Sequence, residues 1–300
     1  MLTEIAKIKD PVDRLFAFAQ ERYSIYLKRQ HNQKPPWTED LILGQYRFTN
    51  IYREDDNVTS WIRDNWREPH HDDPDLWFAM AVARLLNRPV TLEAIGYPVP
   101  WKYPEPWKTN KGVHSYDVKF AQILNRRRKM GEKIFNAAYI VSTNGIMIDK
   151  LAYIKSYVLD PLWAARDRLR PKDGDTLNSY HMTLGQMQGF GSFMTGQVIA
   201  DIKYHMPLIA AKDWHTFACS GPGSRRGLNY VLGRDRKSPW DESDWRLKLG
   251  HLRDELLPMF KRAQMPMPHG QDVQNLLCEW SKYWRAVTED KMPKQLYRWK

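Results

Sequence analysis

The stretch from His181 to Arg234 constrains this chain more than any other. Within it, Gly189-Phe190-Gly191 separates two segments with helical patterning. Met182, Leu184 and Met187 precede the turn; Phe193, Val198, Ile199 and Ile202 follow it at helix-compatible spacing. A Gly-x-Gly turn permits positive φ and close backbone approach, and the amides that open the next helix, around Ser192, can hold a phosphate. The pattern suits a helix, a hairpin turn and a second helix that together grip a DNA backbone. It suits equally a tight turn between two core helices.

A second segment follows: Ser220-Gly221-Pro222-Gly223-Ser224-Arg225-Arg226-Gly227-Leu228-Asn229. Its composition reads as a loop between an apolar Trp214–Ala218 segment and Leu228–Leu232. Glycines, a proline and an Arg pair offer exposed amides and two guanidinium forks, which suit phosphate or pyrophosphate. The formal net charge of +11 also points to a polyanionic partner, most simply nucleic acid. No apolar run approaches bilayer length and no signal-peptide pattern opens the chain, so a membrane partner is not expected. Cys219 and Cys278 are the only cysteines, too few for a disulfide framework or a four-cysteine metal site; a cytoplasmic location is expected. With 42% hydrophobic residues, the 300-residue chain can bury a sizeable core, as one large domain or two intimate ones. Most of its 13 tryptophans must fill that core, with base stacking as a further use.

Helical patterning continues through the rest. Pro11 to Gln30 is amphipathic, and Thr38 is placed to cap the next short helix. Asn50, Arg53 and Asp56 lie three apart, so one helical turn would bring an amide, a guanidinium and a carboxylate onto one face, able to grip a base edge and an anion. A solvated face with Asp55 or Asp56 as a helix cap is the alternative. His70-His71-Asp72-Asp73 carries four metal-ligand types, but adjacent residues rarely converge on one ion, and Pro69 and Pro74 mark a surface turn. Pro74 to Asn87 is apolar nearly all round and reads as a buried helix. Tyr97 to Trp107 reads as a loop braced by aromatics, and Val118 to Met130 as a helix ending in four cations. Phe135 to Gly145 has strand propensity, yet with no second credible strand it is assigned to helix and loop. Helices are expected over Asp149–Arg170 with a break near Pro161, from Thr176 into the turn, and over Glu242–Gln264 and Asp272–Val287. The expectation is an all-α fold.

Several catalytic signatures are absent: GxxxxGK[ST], HExxH, CxxC and GxSxG. The segments RFTNIYREDDNVTSWI (47–62), FNAAYIVSTNGI (135–146), QGFGSFMTGQVIADIKY (188–204) and SGPGSRRGLNYVLG (220–233) together resemble the helical domain of the 5-hydroxymethyluracil DNA kinases. That group includes the α-glutamyl/putrescinyl thymine pyrophosphorylases and is similar to helix-hairpin-helix DNA glycosylases. The resemblance spans about 45 to 235. It implies a single helical domain over 1–300 with extensions at 1–44 and 236–300, and a place in phage thymidine hypermodification. In that pathway a kinase pyrophosphorylates 5-hydroxymethyluracil and an amino acid:DNA transferase displaces the pyrophosphate with an amine.

The kinases of the family add a P-loop domain, which this sequence lacks, so the transferase step is the expected one. Arg225, Arg226 and Arg53 would neutralise the leaving pyrophosphate. Asp201, inside the apolar GQVIADIKY segment, is the expected base for the incoming amine, with a cap or an ion pair to Lys203 or an arginine as its structural alternative. Asn50 and Asn144 would read base edges or hold the amino acid. Tyr52 or Trp61 would stack on an extrahelical base, and Asp56, Asn136 and Ser224 complete the substrate-binding set. Gly189, Gly191 and Ser192 would meet the DNA backbone. The expected partners are double-stranded DNA carrying modified thymine and a free amine (glycine, serine or putrescine), met by a monomer. No protein-ligated metal or tightly bound cofactor is expected; whether a divalent cation accompanies the pyrophosphate is left open. Three rivals stand beside this reading. A DNA glycosylase is disfavoured because no carboxylate falls between Gly221 and Arg226. The others are a kinase component that takes its ATP site from elsewhere, and a purely DNA-binding protein.

Overall fold

The computed structural model describes residues 3–101, 107–109, 112–114, 118–136, 142–143 and 145–297. In chain order the helices are α1 (Glu4–Lys7), α2 (Pro11–Gln30), α3 (Leu41–Gln45), α4 (Asn57–Ile62), α5 (Leu76–Leu86), α6 (Pro89–Ile95), α7 (Val118–Lys129), α8 (Lys150–Tyr153), α9 (Asp160–Ala164), α10 (Arg166–Leu169), α11 (Leu177–Leu184), α12 (Ser192–Ile202), α13 (Pro222–Val231), α14 (Glu242–Arg262) and α15 (Gly270–Glu289). The fold is all-α. Among the described residues its one sheet element is a short antiparallel pair of strands, β1 (Trp107–Thr109) with β2 (Gly112–His114), pairing Trp107 with His114. Three-residue strands are too short to leave an alternating pattern, which is why the sequence offered no second strand.

The chain divides into two compact units, Met1–Asp56 with His215–Lys300, and Asn57–Trp214, where the resemblance implies a single helical domain. The first unit is built on α2, α14 and α15. Asp10 accepts hydrogen bonds from the amides of Val12 and Asp13, and Pro11 supplies a preset φ, so α2 starts where the sequence reading places it. Phe18, Trp245, Leu249, Trp280 and Tyr283 form the centre of its core. Trp245 and Trp280 are 0% and 1% exposed; burying an indole of this size contributes about 4–6 kcal/mol before the cost of its N–H, which has no acceptor among the described residues. Asp40, rather than Thr38, caps α3, accepting from the Ile42 and Leu43 amides; the Thr38 hydroxyl accepts from the Asp40 amide.

The second unit is centred on α5, every residue of which is buried, and on α12, which packs against it. Asn87 ends α5 in the left-handed region with φ 49°. The expected helix from Asp149 to Arg170 is present in pieces: α8 runs into a wider turn at Ile154–Leu159, and Pro161 opens α9. Thr176 caps α11, its hydroxyl accepting from the Ser179 amide while the Ser179 hydroxyl returns to the Thr176 amide.

Candidate functional site

In the second unit, α11 and α12 are joined by the turn 185–191, as the glycine spacing predicts. Gly189 has φ 86°, and a side chain there would meet Val158 at 2.9 Å, so both conformation and space require glycine. Gly191 stands before the first turn of α12 with no side-chain cap, and Gly191, Ser192 and Phe193 are exposed. The first amides of α12 therefore face outward with the positive end of the helix dipole, an arrangement suited to a phosphate. The turn is braced from within: the Thr195 hydroxyl donates to Phe190 O at 3.0 Å, and His181 Nε2 lies 3.1 Å from Ser192 O.

Asp201 lies on the same helix and is 0% exposed. Its Oδ2 accepts from Arg84 Nε and its Oδ1 from Arg84 Nη2, both at 2.5 Å. Arg84 also donates to Thr59 Oγ1 at 3.0 Å and Asn87 Oδ1 at 3.2 Å. The residue expected to act as a base is thus half of a buried bidentate pair, the structural alternative weighed above. Arg84 had no sequence signal as a partner, because it sits in a segment read as apolar all round.

The first unit changes the reading of the Gly/Arg segment. It is not a loop: Pro222 begins α13 after Gly221, and the buried Ser224 hydroxyl accepts from the Gly221 amide at 2.9 Å, closing the first turn. Ser224 is therefore a capping residue. The glycines serve close helix packing. A Cβ on Gly227 would lie 2.1 Å from Leu277 O, and one on Gly223 would lie 3.1 Å from Cys278 Sγ, so α13 can approach α15 only without side chains there. Arg225 donates to Ser220 Oγ at 2.7 Å, Trp240 O at 3.2 Å and Glu242 Oε2 at 2.9 Å. Glu242 also accepts from the Ser220 amide and hydroxyl. Burial raises the Glu242 pKa, but the Ser220 and Arg225 hydrogen bonds outweigh it and hold the carboxyl below its ordinary value. Arg226 Nε donates to Ser281 Oγ at 3.3 Å.

Asn50, Arg53 and Asp56 do not share a helical face. Only Arg53–Asp55 form a single tight turn, with Tyr52 and Asp56 extended on either side. The polar residues of α15 fasten this segment: Asp272 Oδ1 accepts from the Arg53 amide at 3.1 Å, Asn275 Nδ2 donates to Asn50 O at 2.7 Å, and Glu279 Oε2 accepts from the Thr49 amide at 3.0 Å. Asn50 Nδ2 donates to Asp55 O at 2.7 Å. Tyr52 is buried with its hydroxyl donating to Pro266 O at 2.7 Å, and burial raises its pKa far above normal; its ring packs on Tyr23 and is not presented to a base. The Asn136 amide donates to Leu86 O at 3.1 Å, and Asn144 lies outside the described residues. The expected site residues fall in both units: 50, 52, 53, 56 and 224–226 in the first, 136, 189, 191, 192 and 201 in the second. Among the described residues no group of three His, Cys, Asp or Glu is arranged to hold a metal ion, and no helix is long and apolar enough to cross a membrane.

These features define a basic, all-α protein with an exposed helix N-terminus at a glycine turn. The chain belongs to the family described as the 5-hmdU DNA kinase helical domain, whose profile matches residues 9–292. It is 27% identical over 242 residues to the 5-hmdU DNA kinase of Bacillus phage SP10, an alignment covering 73% of this chain and 36% of that protein. The chain thus spans about a third of the length of this curated relative. No solved structure gives a significant match.

Proposed function

We propose that this chain engages phage DNA containing 5-hydroxymethyluracil, or its pyrophosphorylated form, and serves a group transfer at the 5-methylene position in thymidine hypermodification. The family match across 9–292 carries this reading. The charge of +11 and the uncapped α12 N-terminus at the Gly189–Gly191 turn support a DNA backbone as partner. The hairpin would then work as a helix-hairpin-helix of the glycosylase type, with the target base leaving the stack.

Two finer readings divide the step. The relative's description as a 5-hmdU DNA kinase favours a kinase component. Here the helical part presents the 5-hydroxymethyl group and a nucleotide-binding part supplies the phosphoryl donor, since no GxxxxGK[ST] occurs in this sequence. The second reading is the amino acid:DNA transferase, in which the nitrogen of glycine or another amine bonds to the 5-methylene carbon as the bond to pyrophosphate breaks. Arg225 and Arg226, with Arg53, are its candidate charge-neutralising groups. The engagement of both Asp201 oxygens by Arg84 leaves its base unassigned and ranks it second. Both are transferase chemistry on double-stranded DNA by a monomer with no tightly held cofactor.

Mass analysis of digested nucleosides tests the choice. The protein is incubated with 5-hydroxymethyluracil DNA and ATP, alone and with a separately supplied P-loop kinase part, and with pyrophosphorylated DNA and a mixture of amines. ATP-dependent phosphorylation that requires both parts supports the kinase component. A new amine adduct with release of pyrophosphate supports the transferase. Unchanged nucleosides in every arm, with equal affinity for modified and plain DNA, would reduce the chain to a binding protein.

A further inference from the structure

The second unit contains a cleft of about 440 Å³ lined by none of the residues discussed for the transfer chemistry. Its size falls within the roughly 300–1,000 Å³ typical of small-molecule sites. Leu76, Ile202 and Leu208 give it apolar walls. Trp77 also lines it and is 1% exposed.

Two imidazoles line the same cleft. The rings of His71 and His205 have centroids 6.3 Å apart and planes inclined by 33°. Burial lowers the His205 pKa against the opposing pull of Glu68, whose Oε1 is 3.5 Å from Nε2, so the ring is neutral at pH 7. An uncharged heteroaromatic face is a stacking platform for a base. At the rim, Lys172 is exposed, with Asp173 beside it. Arg170 is held by both oxygens of Asp75, and Asp73 accepts from the Tyr97 hydroxyl. Lys172 is thus the rim cation left to meet an anion.

We infer that this cleft receives a single pyrimidine nucleotide, with its ring beside His71 and His205 and its phosphate toward Lys172. The inference rests on the reading that the chain acts on a modified thymine in DNA, and gives the extrahelical base a place. The helix that begins at the exposed glycine turn ends at this cleft. The eleven residues of α12 span roughly 16 Å at 1.5 Å per residue, a distance one duplex can bridge while its backbone rests on the turn.

The test follows the histidine ring resonances of the full chain, assigned through His71→Gln and His205→Gln. The probes are 5-hydroxymethyl-2′-deoxyuridine 5′-monophosphate, glycine and inorganic phosphate. The nucleotide is expected to shift the His71 and His205 signals in a saturable way. Lys172→Ala, at the exposed rim, is expected to weaken binding of the monophosphate about 2- to 5-fold and to leave the uncharged nucleoside unaffected. The assignment is overturned if millimolar nucleotide leaves both signals in place, or if glycine or phosphate alone reproduces the shifts. Titration with duplexes separates the two levels. If the wild type binds a 5-hydroxymethyluracil duplex no better than plain DNA, the underlying reading fails. If it prefers the modified duplex and His205→Gln and Lys172→Ala both keep that preference, only the cleft assignment fails.

Discussion

Removing the carboxylate of Asp201 should be among the most damaging single changes in this protein, for a reason unconnected with proton transfer. Arg84 and Asp201 are 1% and 0% exposed and share two hydrogen bonds of 2.5 Å, while Thr59 and Asn87 take two further guanidinium bonds. In Asp201→Ala the guanidinium stays buried with its charge uncompensated, a change that costs about 3–5 kcal/mol. With a urea dependence of roughly 2 kcal/mol per M, the unfolding midpoint of the second unit should fall by about 1.5–2.5 M. Asp201→Asn keeps the shape and one acceptor, and should fall between the wild type and Asp201→Ala. The decisive variant is the double one, Arg84→Met with Asp201→Leu. An apolar pair of similar volume removes both charges together, so it should regain most of the loss, giving a coupling of several kcal/mol in the double-mutant cycle. Urea unfolding followed by tryptophan fluorescence, alongside nucleoside turnover, is the assay. If Asp201→Ala loses less than about 1 kcal/mol, or if Asp201→Asn abolishes turnover at an unchanged midpoint, the pair is not structural and the residue returns to its earlier assignment as a base.

Other perturbations test the remaining joints. Gly227→Ala places a methyl 2.1 Å from Leu277 O; the separation it forces between α13 and α15 should cost about 1–3 kcal/mol or more despite the gain in helix propensity, read as a lowered melting temperature. Ser192→Glu adds a carboxylate to the uncapped start of α12, so it should leave the melting temperature unchanged or slightly raised while weakening DNA binding about tenfold; undiminished affinity would remove the turn from the DNA surface. The Glu242 carboxyl has a folded-state pKa below its ordinary 4.5, so its stabilising contribution is complete above that value and is lost as the pH falls through the folded pKa. Glu242→Gln should therefore flatten the acid side of a plot of melting temperature against pH, and an unaltered acid limb would contradict the Ser220–Arg225–Glu242 assignment. Arg226→Ala should keep most DNA affinity and lose turnover if Arg226 acts on the leaving group; equal loss of both marks a simple binder.

Helix periodicity and caps were legible because they are local. The limits of α2, the buried α5, the Thr176 cap and the glycine turn follow from residues a few positions apart. Apart from the cap of α3, where Asp40 takes the place expected of Thr38, the misreadings concern partners distant in sequence. The Gly/Arg segment has the composition of an anion loop, yet its glycines answer to Leu277 and Cys278 on a helix some fifty positions later. Arg84 was hidden in an apolar run because its carboxylate partner is 117 residues away. Asn50, Arg53 and Asp56 have helical spacing, but the backbone there is tied to Asp272, Asn275 and Glu279, and those long-range bonds override the local preference. The cleft residues come from three separated segments that no local pattern links.

The first unit is made from both ends of the chain. The Arg47 amide donates to Gln295 O, the Tyr297 amide donates to Gln45 O, and the Tyr283 hydroxyl donates to Asp40 at 2.6 Å. On the ribosome, residues 57–214 can complete their own contacts while α2 and α3 wait for α14 and α15 to emerge. The long delay before such non-local pairs form slows folding and leaves the apolar side of α2 uncovered in the meantime. Trimming the residues past α15 is therefore, in its physical effect, a lesion at Gln45 to Arg47, and α2 is made long before it becomes native.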